Sequence, residues 1–214
     1  MPPRAAVQHP EIEAAPGFPE AFAKVLGEAL GGDRDAATAT VTWIETPLGP
    51  MVAAANDDGV CLLEYTDPKR LQPQIAQLRK RIAPRIVSGD HSHLAALREQ
   101  LAGYFARTLE QFSVPLVAPG TPFEESVWKA LLRIPYGQTR SYIEIARELG
   151  SREGQRAVGR ANGLNRIAIV IPCHRVVNHG GGLGGYGGGL WRKERLLDLE
   201  RGPGQRPLFA QRES

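Results

Sequence analysis

Residues 141–177 read SYIEIARELGSREGQRAVGRANGLNRIAIVIPCHRVV, and they carry a fold signature followed by a chemical one. Ser141 precedes Glu144 by three residues at the head of an apolar-periodic run. That is capping-box spacing, so a short helix is predicted over 141–149. Residues 150–154 read as a turn, and a further helix is predicted over 155–164. Two short helices joined by a tight glycine-containing turn make the pattern of a helix-turn-helix. The second helix sets Arg156 and Arg160 among the small residues Ala157, Gly159 and Ala161, so its backbone can approach DNA closely.

The stretch ends on Ile171-Pro172-Cys173-His174-Arg175, after the apolar run 167–170, which reads as strand-like. A thiol beside a base and a cation is set up to ionise, and the thiolate is the nucleophilic form of cysteine. The competing reading is a buried core thiol, the commoner fate of free cysteine. On this pentapeptide alone the two readings balance.

The whole chain has 214 residues, 42% hydrophobic and 23% charged, an ordinary globular composition with room for one or two domains. It can bury a core without disulfide or metal staples. Its two cysteines, Cys61 and Cys173, lie in unlike settings and form no disulfide framework. A reducing, cytoplasmic compartment is expected. No apolar run is long enough to span a bilayer, and the first residues lack the apolar core of a signal peptide. Charge is unevenly placed. Residues 1–127 hold 11 basic and 16 acidic side chains, a net −5, whereas residues 128–207 hold 14 basic and 6 acidic, a net +8. The basic excess falls on the half with the candidate nucleophile and fits a polyanion partner, chiefly nucleic acid.

Outward from the centre, residues 1–40 are rich in Ala, Pro and Gly and read as a flexible arm with one helical patch through Phe18, Phe22, Val25, Leu26 and Leu30. Strands are expected over 41–44, 51–55 and 60–65, joined by turn residues into an antiparallel meander. Cys61 lies inside the third as a small packed hydrophobe. Helices are expected over 71–82 and 93–108, with His91 and His93 marking a surface helix start rather than a metal pair. The proline-rich stretch 112–122 reads as an extended linker between an N-terminal α+β unit and a helical C-terminal unit. A helix over 122–134 and a turn at 136–139 follow. The glycine-rich run 180–189 lets backbone approach a ligand, and no Gly-Lys-Ser/Thr follows to make it a phosphate loop. A last helix over 190–200 ends on Glu200.

Together these residues resemble the O6-alkylguanine-DNA alkyltransferases. The likeness covers residues 41–202 and is strongest from Phe123 onward. It rests on Ser141-Tyr142, Arg156-Ala157-Val158-Gly159, Asn165, Pro172-Cys173-His174-Arg175-Val176-Val177, Gly185-Tyr186, and Lys193 through Leu196-Leu197 to Glu200. The resemblance implies an α+β fold: an N-terminal antiparallel sheet with helices, ribonuclease H-like, and a C-terminal helical domain with a winged-helix-like helix-turn-helix. It divides the chain into an arm (1–40), an α+β domain (41–117), a DNA-binding and transfer domain (118–204) and a tail (205–214). Residues 17–31 weakly resemble the last helix of an AraC-type DNA-binding domain.

The resemblance also implies roles. Cys173 corresponds to the alkyl acceptor, His174 to the base that takes the thiol proton through a water, and Glu200 to the carboxylate that orients that histidine. Asn165 ties the helix-turn-helix to the active-site segment. Tyr142 sits beside a flipped nucleotide, and Arg156 enters the duplex where the base was. Ser141, Ala157, Gly159 and Arg160 complete the DNA-binding set. Tyr186, Gly187, Gly188 and Val176 line the substrate pocket. The implied partner is double-stranded DNA containing O6-alkylguanine, with O4-alkylthymine as a second lesion. The implied protein is a monomer that reacts once, with no cofactor, no metal and no membrane contact.

The chain departs from the family pattern in places. Arg166 stands where many members have proline. Gly187 and Gly188 replace side chains that narrow the pocket, so tolerance of larger substituents is expected. A cysteine-rich zinc module is absent, so methylphosphotriester sensing is not expected. Two other classes stay open on residues alone. One is a non-catalytic DNA-damage binder, which Cys173 argues against. The other is a cysteine hydrolase, which needs an oxyanion hole.

Overall fold

The computed structural model describes residues 35–151 and 154–202, together with Leu26 and Asp33. Three strands form on largely apolar runs bounded by turn residues: β1 (Thr38–Ile44), β2 (Met51–Asn56) and β3 (Gly59–Tyr65). They pair antiparallel in sequence order, as the meander reading expects. A fourth strand, β4 (Arg85–Ser88), joins parallel to β1 and gives the order β3-β2-β1-β4. The sequence reading missed it. Its four residues bury only Ile86, so it shows neither an apolar run nor an alternation.

β2 and β3 are buried at nearly every position because helices cover both faces of the sheet. Helix α1 (Pro68–Arg81) sets Leu71, Ile75 and Leu78 against Val41, Val52, Ala54, Cys61 and Leu62. Helix α2 (Ser92–Phe105) sets Leu94, Leu97, Leu101 and Tyr104 against the other face. α1 starts three residues earlier than its apolar stripe, because the Asp67 carboxylate caps the Lys69 N–H and Pro68 takes the first turn. His91 and His93 open α2 as expected: the His91 ring accepts the His93 N–H and caps the helix.

β3 is an edge strand, and its free edge is covered by chain from further on. The Val60 N–H donates to the Pro115 carbonyl and the Val117 N–H to the Val60 carbonyl, both at 2.8 Å. The expected linker is thus extended, but it is pinned to the sheet. Three residues along, the Leu63 N–H donates to the Arg166 carbonyl at 2.9 Å and the Ala168 N–H to the Leu63 carbonyl at 2.8 Å. Those bonds seat the segment leading to Cys173 directly on the N-terminal sheet.

The rest is helical. α3 (Pro122–Leu132) begins with a Thr121/Glu124 capping box, and α4 (Tyr142–Glu148) with the Ser141/Glu144 box read from the sequence. α5 (Gly154–Gly163) packs on α4 as the second helix of the helix-turn-helix. Short strands β5 (Arg140–Ser141) and β6 (Val176–Val177) pair in parallel, and α6 (Leu190–Arg201) closes the chain. Trp128, Leu131, Ile145, Val158 and Leu196 continue the same apolar cluster as Leu97 and Leu101, so one core runs through both units. Leu26 is helical and buried in the cluster under α1. Most of the expected arm, the AraC-like patch and the tail lie outside the described residues. No helix among the described residues is long and apolar enough to cross a membrane.

Candidate active site

The run 167–170 is not a strand. After one bridge at Ile167 it folds into consecutive tight turns. Ile169 has φ +70°, and the Val170 N–H donates back to the Ala168 carbonyl at 2.8 Å. This is a three-residue γ-turn with a β-branched residue in the left-handed region, a strained arrangement that costs about 1–3 kcal/mol. Pro172, at φ −80° and ψ 61°, centres the mirror-image turn, and the Cys173 N–H reaches the Ile171 carbonyl at 2.7 Å. Cys173 then opens a 3-10 turn, Cys173–Arg175. Hydrophobicity predicts burial here correctly; it carries no sign of the turns.

Asn165 holds this strained segment in place. Its amide NH₂ donates to the Ile171 carbonyl at 2.9 Å and to the Cys173 sulfur at 3.1 Å, while its carbonyl accepts the Ile167 N–H at 3.0 Å. Asn162 adds a bond from its amide to the Cys173 carbonyl at 3.3 Å.

Glu200 is a hub and not the solvated helix end that sequence alone favours. It is 4% exposed. Oε1 accepts from the Tyr104 hydroxyl at 2.8 Å, His174 Nε2 at 2.8 Å and Arg175 Nη2 at 2.9 Å. Oε2 accepts from Arg175 Nε at 2.8 Å and the Gly137 N–H at 3.2 Å. Burial opposes the charge, but the His174 imidazole and the Arg175 guanidinium outweigh it and hold the carboxyl at about 2. His174 is fully buried, and burial lowers its pKa despite Glu200. The ring is therefore neutral, with Nε2–H donated to the carboxylate, and Arg175 supplies the countercharge. His174 Nδ1 is left as a buried acceptor with no partner, the atom a proton relay needs.

The sequence reading expects the adjacent His174 and Arg175 to ionise Cys173. The structure corrects that picture. Both side chains turn to Glu200, and burial raises the Cys173 thiol, with the Asn165 bond opposing. Burial thus favours the protonated thiol at rest. The cations acting on it are Arg70 and Lys193. The Lys193 ammonium is buried and pulled down to about 8 by desolvation. It donates to the carbonyls of Val176, Leu183 and Gly185 and so folds the glycine-rich loop over the thiol.

Cys173 lies in a cavity of about 380 Å³, within the range of small-molecule sites. Of the residues singled out from sequence, Asn165, Tyr142, Arg156, Gly159, Tyr186, Gly187 and Gly188 join Cys173 in its wall. Tyr142 is half-buried, and its hydroxyl donates to the Gly185 carbonyl at 3.3 Å. Arg156 is exposed at the mouth, and Arg160 is exposed beyond it. Ala157 is half-buried outside the cavity. Val176 is buried behind the wall, where its carbonyl serves Lys193. Ser141 is also buried, and its hydroxyl is taken up by Glu144 at 2.6 Å, where it caps α4.

The expectation that Gly187 and Gly188 widen the pocket meets a steric fact. A Cβ on Gly187 would lie 2.3 Å from the Arg70 guanidinium carbon, and one on Gly188 would lie 2.6 Å from the Tyr65 ring. The volume these glycines leave is filled from β3 and α1. Sequence reasoning missed Tyr104, Glu64, Arg70 and Gly137, all far from the cysteine in sequence. It quoted Lys193 without a role. Arg166 is buried and stacks over the Trp128 ring at 5.8 Å.

The chain is similar to known proteins in sequence and in fold. A family model described as the DNA binding domain of 6-O-methylguanine DNA methyltransferase matches residues 122–202. A methylated-DNA–protein-cysteine methyltransferase of Mycobacterium tuberculosis is 44% identical over 168 residues, covering 78% of this chain and 96% of that protein. One from Methanosarcina barkeri is 45% identical over 157 residues, covering 73% and 94%. Among solved structures, Mycobacterium tuberculosis OGT in complex with DNA has 40% identity and a TM-score of 0.65, over 81% of this chain and 99% of that one. The O6-methylguanine-DNA methyltransferase of Pyrococcus kodakaraensis has 25% identity and a TM-score of 0.55, over 76% and 98%.

Proposed function

The chain belongs to the methylated-DNA–protein-cysteine methyltransferase family, and on that premise we propose that it repairs O6-alkylguanine in duplex DNA by moving the alkyl group onto Cys173. It is a DNA-repair methyltransferase that acts by direct transfer. The observation that carries the assignment to Cys173 is the sulfur's position: in a ligand-sized cavity, bonded to Asn165, beside a histidine whose free nitrogen is backed by a buried carboxylate.

The chemistry runs as one displacement. A guanine O6 substituent is buried in stacked DNA, so the nucleotide rotates out into the cavity, at a cost of a few kcal/mol. Arg156, exposed at the mouth on the helix-turn-helix, fills the space left in the stack, and Tyr142 lies beside the turned-out nucleotide. His174 Nδ1 draws the thiol proton through a water, and Glu200 stabilises the imidazolium that forms. Asn165 donates to the sulfur as its charge develops. The sulfur bonds to the alkyl carbon, the carbon–O6 bond breaks, and guanine leaves with the electron pair and takes up a proton. A thioether offers water no leaving group, so each molecule reacts once. O4-alkylthymine presents the same alkyl–oxygen bond and is a second substrate. The protein acts as a monomer in the reducing cytoplasm, the two unpaired cysteines fitting that compartment.

Incubation with a duplex bearing O6-methylguanine, followed by intact-protein mass, tests this reading. One methyl gained per molecule, with no further turnover in excess DNA, is the expected result. Continued turnover, or no mass gain, would overturn it.

A further inference from the structure

The transfer chemistry leaves Arg192 without a part, yet its guanidinium is held from several sides. It stands on the first turn of α6, half-buried, and does not line the cavity. Nε donates to the Leu48 carbonyl and Nη1 to the Gly188 carbonyl, both at 2.8 Å. Its Cζ lies 4.1 Å from the centre of the buried Tyr65 ring and 4.5 Å from that of Trp191, both within cation–π range. Leu48 belongs to the turn between β1 and β2, 144 positions earlier in sequence. That turn makes room for the guanidinium: Gly49 has φ +100°, and a Cβ there would lie 3.2 Å from Nη2. Gly188 is cavity wall, pressed on the Tyr65 ring so closely that a Cβ would lie 2.6 Å from it. Lys193, the next residue, holds the same loop at Leu183 and Gly185. Arg192 holds it beyond Tyr186, at Gly188.

We propose that Arg192 is a positioning residue for alkyl transfer: by holding Gly188 and Leu48 at once, it fixes the glycine wall of the cavity against the Tyr65 ring and so sets where the alkylated base rests relative to the Cys173 sulfur. This role rests on the reading of Cys173 as the alkyl acceptor. A glycine-rich backbone has no side chains of its own to lock it, so bonds to the rest of the fold must place it. Displacement needs the sulfur, the alkyl carbon and O6 aligned, and a misplacement of about 1 Å can cost on the order of a hundredfold in rate. A planar guanidinium can donate to two carbonyls while its face lies on an aromatic ring. A lysine ammonium is a point charge with no flat face, so Arg192→Lys keeps the charge and loses the two-sided hold.

Single-turnover transfer from an O6-methylguanine duplex, followed over a range of protein concentrations for the wild type, Arg192→Ala and Arg192→Lys, tests this role. The limiting rate, the duplex Kd and the amplitude are read separately. A variant that is merely less stable loses amplitude, because fewer molecules are folded, and keeps its limiting rate. Arg192→Ala should slow the limiting rate by about tenfold or more. Its duplex Kd should stay within about twofold, because Arg192 lies outside the helix-turn-helix that meets the phosphates. Arg192→Lys should keep less than about a third of the wild-type rate. An unchanged limiting rate in Arg192→Ala, or a slowing matched by an equal rise in Kd, overturns the proposal. A wild-type rate in Arg192→Lys overturns it too, since charge would then suffice. If Arg192→Ala does not fold, as read by thermal unfolding, Arg192→Lys decides alone. Methyl transfer by the wild type with unaltered variants sinks only the positioning role. No methyl transfer by the wild type sinks the functional reading beneath it.

Discussion

Cys61 and Cys173 are both free, buried thiols, and burial raises both, Cys61 to about 12. Their surroundings differ in everything else. Cys61 sits mid-strand in β3, packed among Val41, Val52, Leu71 and Leu78. Cys173 opens a 3-10 turn after two γ-turns of opposite hand, accepts a hydrogen bond from the Asn165 amide and lines a cavity. With Cys173 as the proposed acceptor, the contrast teaches that the resting pKa does not mark the reactive cysteine. What marks it is access for a ligand, a donor fixed on the sulfur, and a base held ready by a buried carboxylate.

The sharpest way to break that comparison is to exchange the fates of the two thiols. Cys173→Ala should abolish transfer while leaving duplex binding in place, as read by gel shift. Cys61→Ala should leave the transfer rate within about threefold and lower denaturant stability by about 1–2 kcal/mol, the cost of a small cavity. Comparable rate losses in the two variants would erase the distinction.

Glu200→Gln comes next. It removes the charge that Arg175 and His174 share and leaves a buried cation unpaired, so stability should fall by about 3–5 kcal/mol. Transfer should slow by about 10²–10⁴-fold with the loss of the backed base. The same carboxyl, held at about 2 against the ordinary 4.5, sets an acid limit. Its contribution is complete above pH 4.5 and is lost as pH falls toward 2. Urea midpoints across that window should drop in the wild type and flatten in Glu200→Gln.

Asn165→Ala deletes the donor to the sulfur, a bond to developing charge worth about 1.5–3 kcal/mol. Rates on duplex and on free O6-benzylguanine should fall together by about 10–100-fold. Arg156→Ala should behave in the opposite way. It should slow duplex repair by about tenfold, near the cost of unstacking one base step, and leave the free base within about twofold. If the duplex loss vanishes at low salt, Arg156 is only a phosphate contact.

Much of this fold was readable from residue periodicity. The three meander strands, both covering helices and the Ser141/Glu144 cap fall where apolar spacing and turn residues put them. β4 escaped because an edge strand of four residues with only Ile86 buried has no pattern. The segment before Cys173 misled because a continuous apolar run looks the same whether it extends or coils into tight turns. Only Asn165 and the bonds to Leu63 decide between these. The site was legible where chemistry is local, in Pro-Cys-His-Arg. It was illegible where the fold assembles it: Tyr104 reaches Glu200 across 96 positions, and Arg70 reaches Asn165 across 95. Gly187 and Gly188 show the same limit, since the side chains filling their space come from the opposite end of the chain.

The most direct test is to map the transferred group. After reaction with a duplex containing O6-methylguanine, proteolysis and peptide mass spectrometry should find one methyl, on the peptide bearing Cys173, with the Cys61 peptide unmodified. A methyl on Cys61, or one spread over both cysteines, would contradict the account.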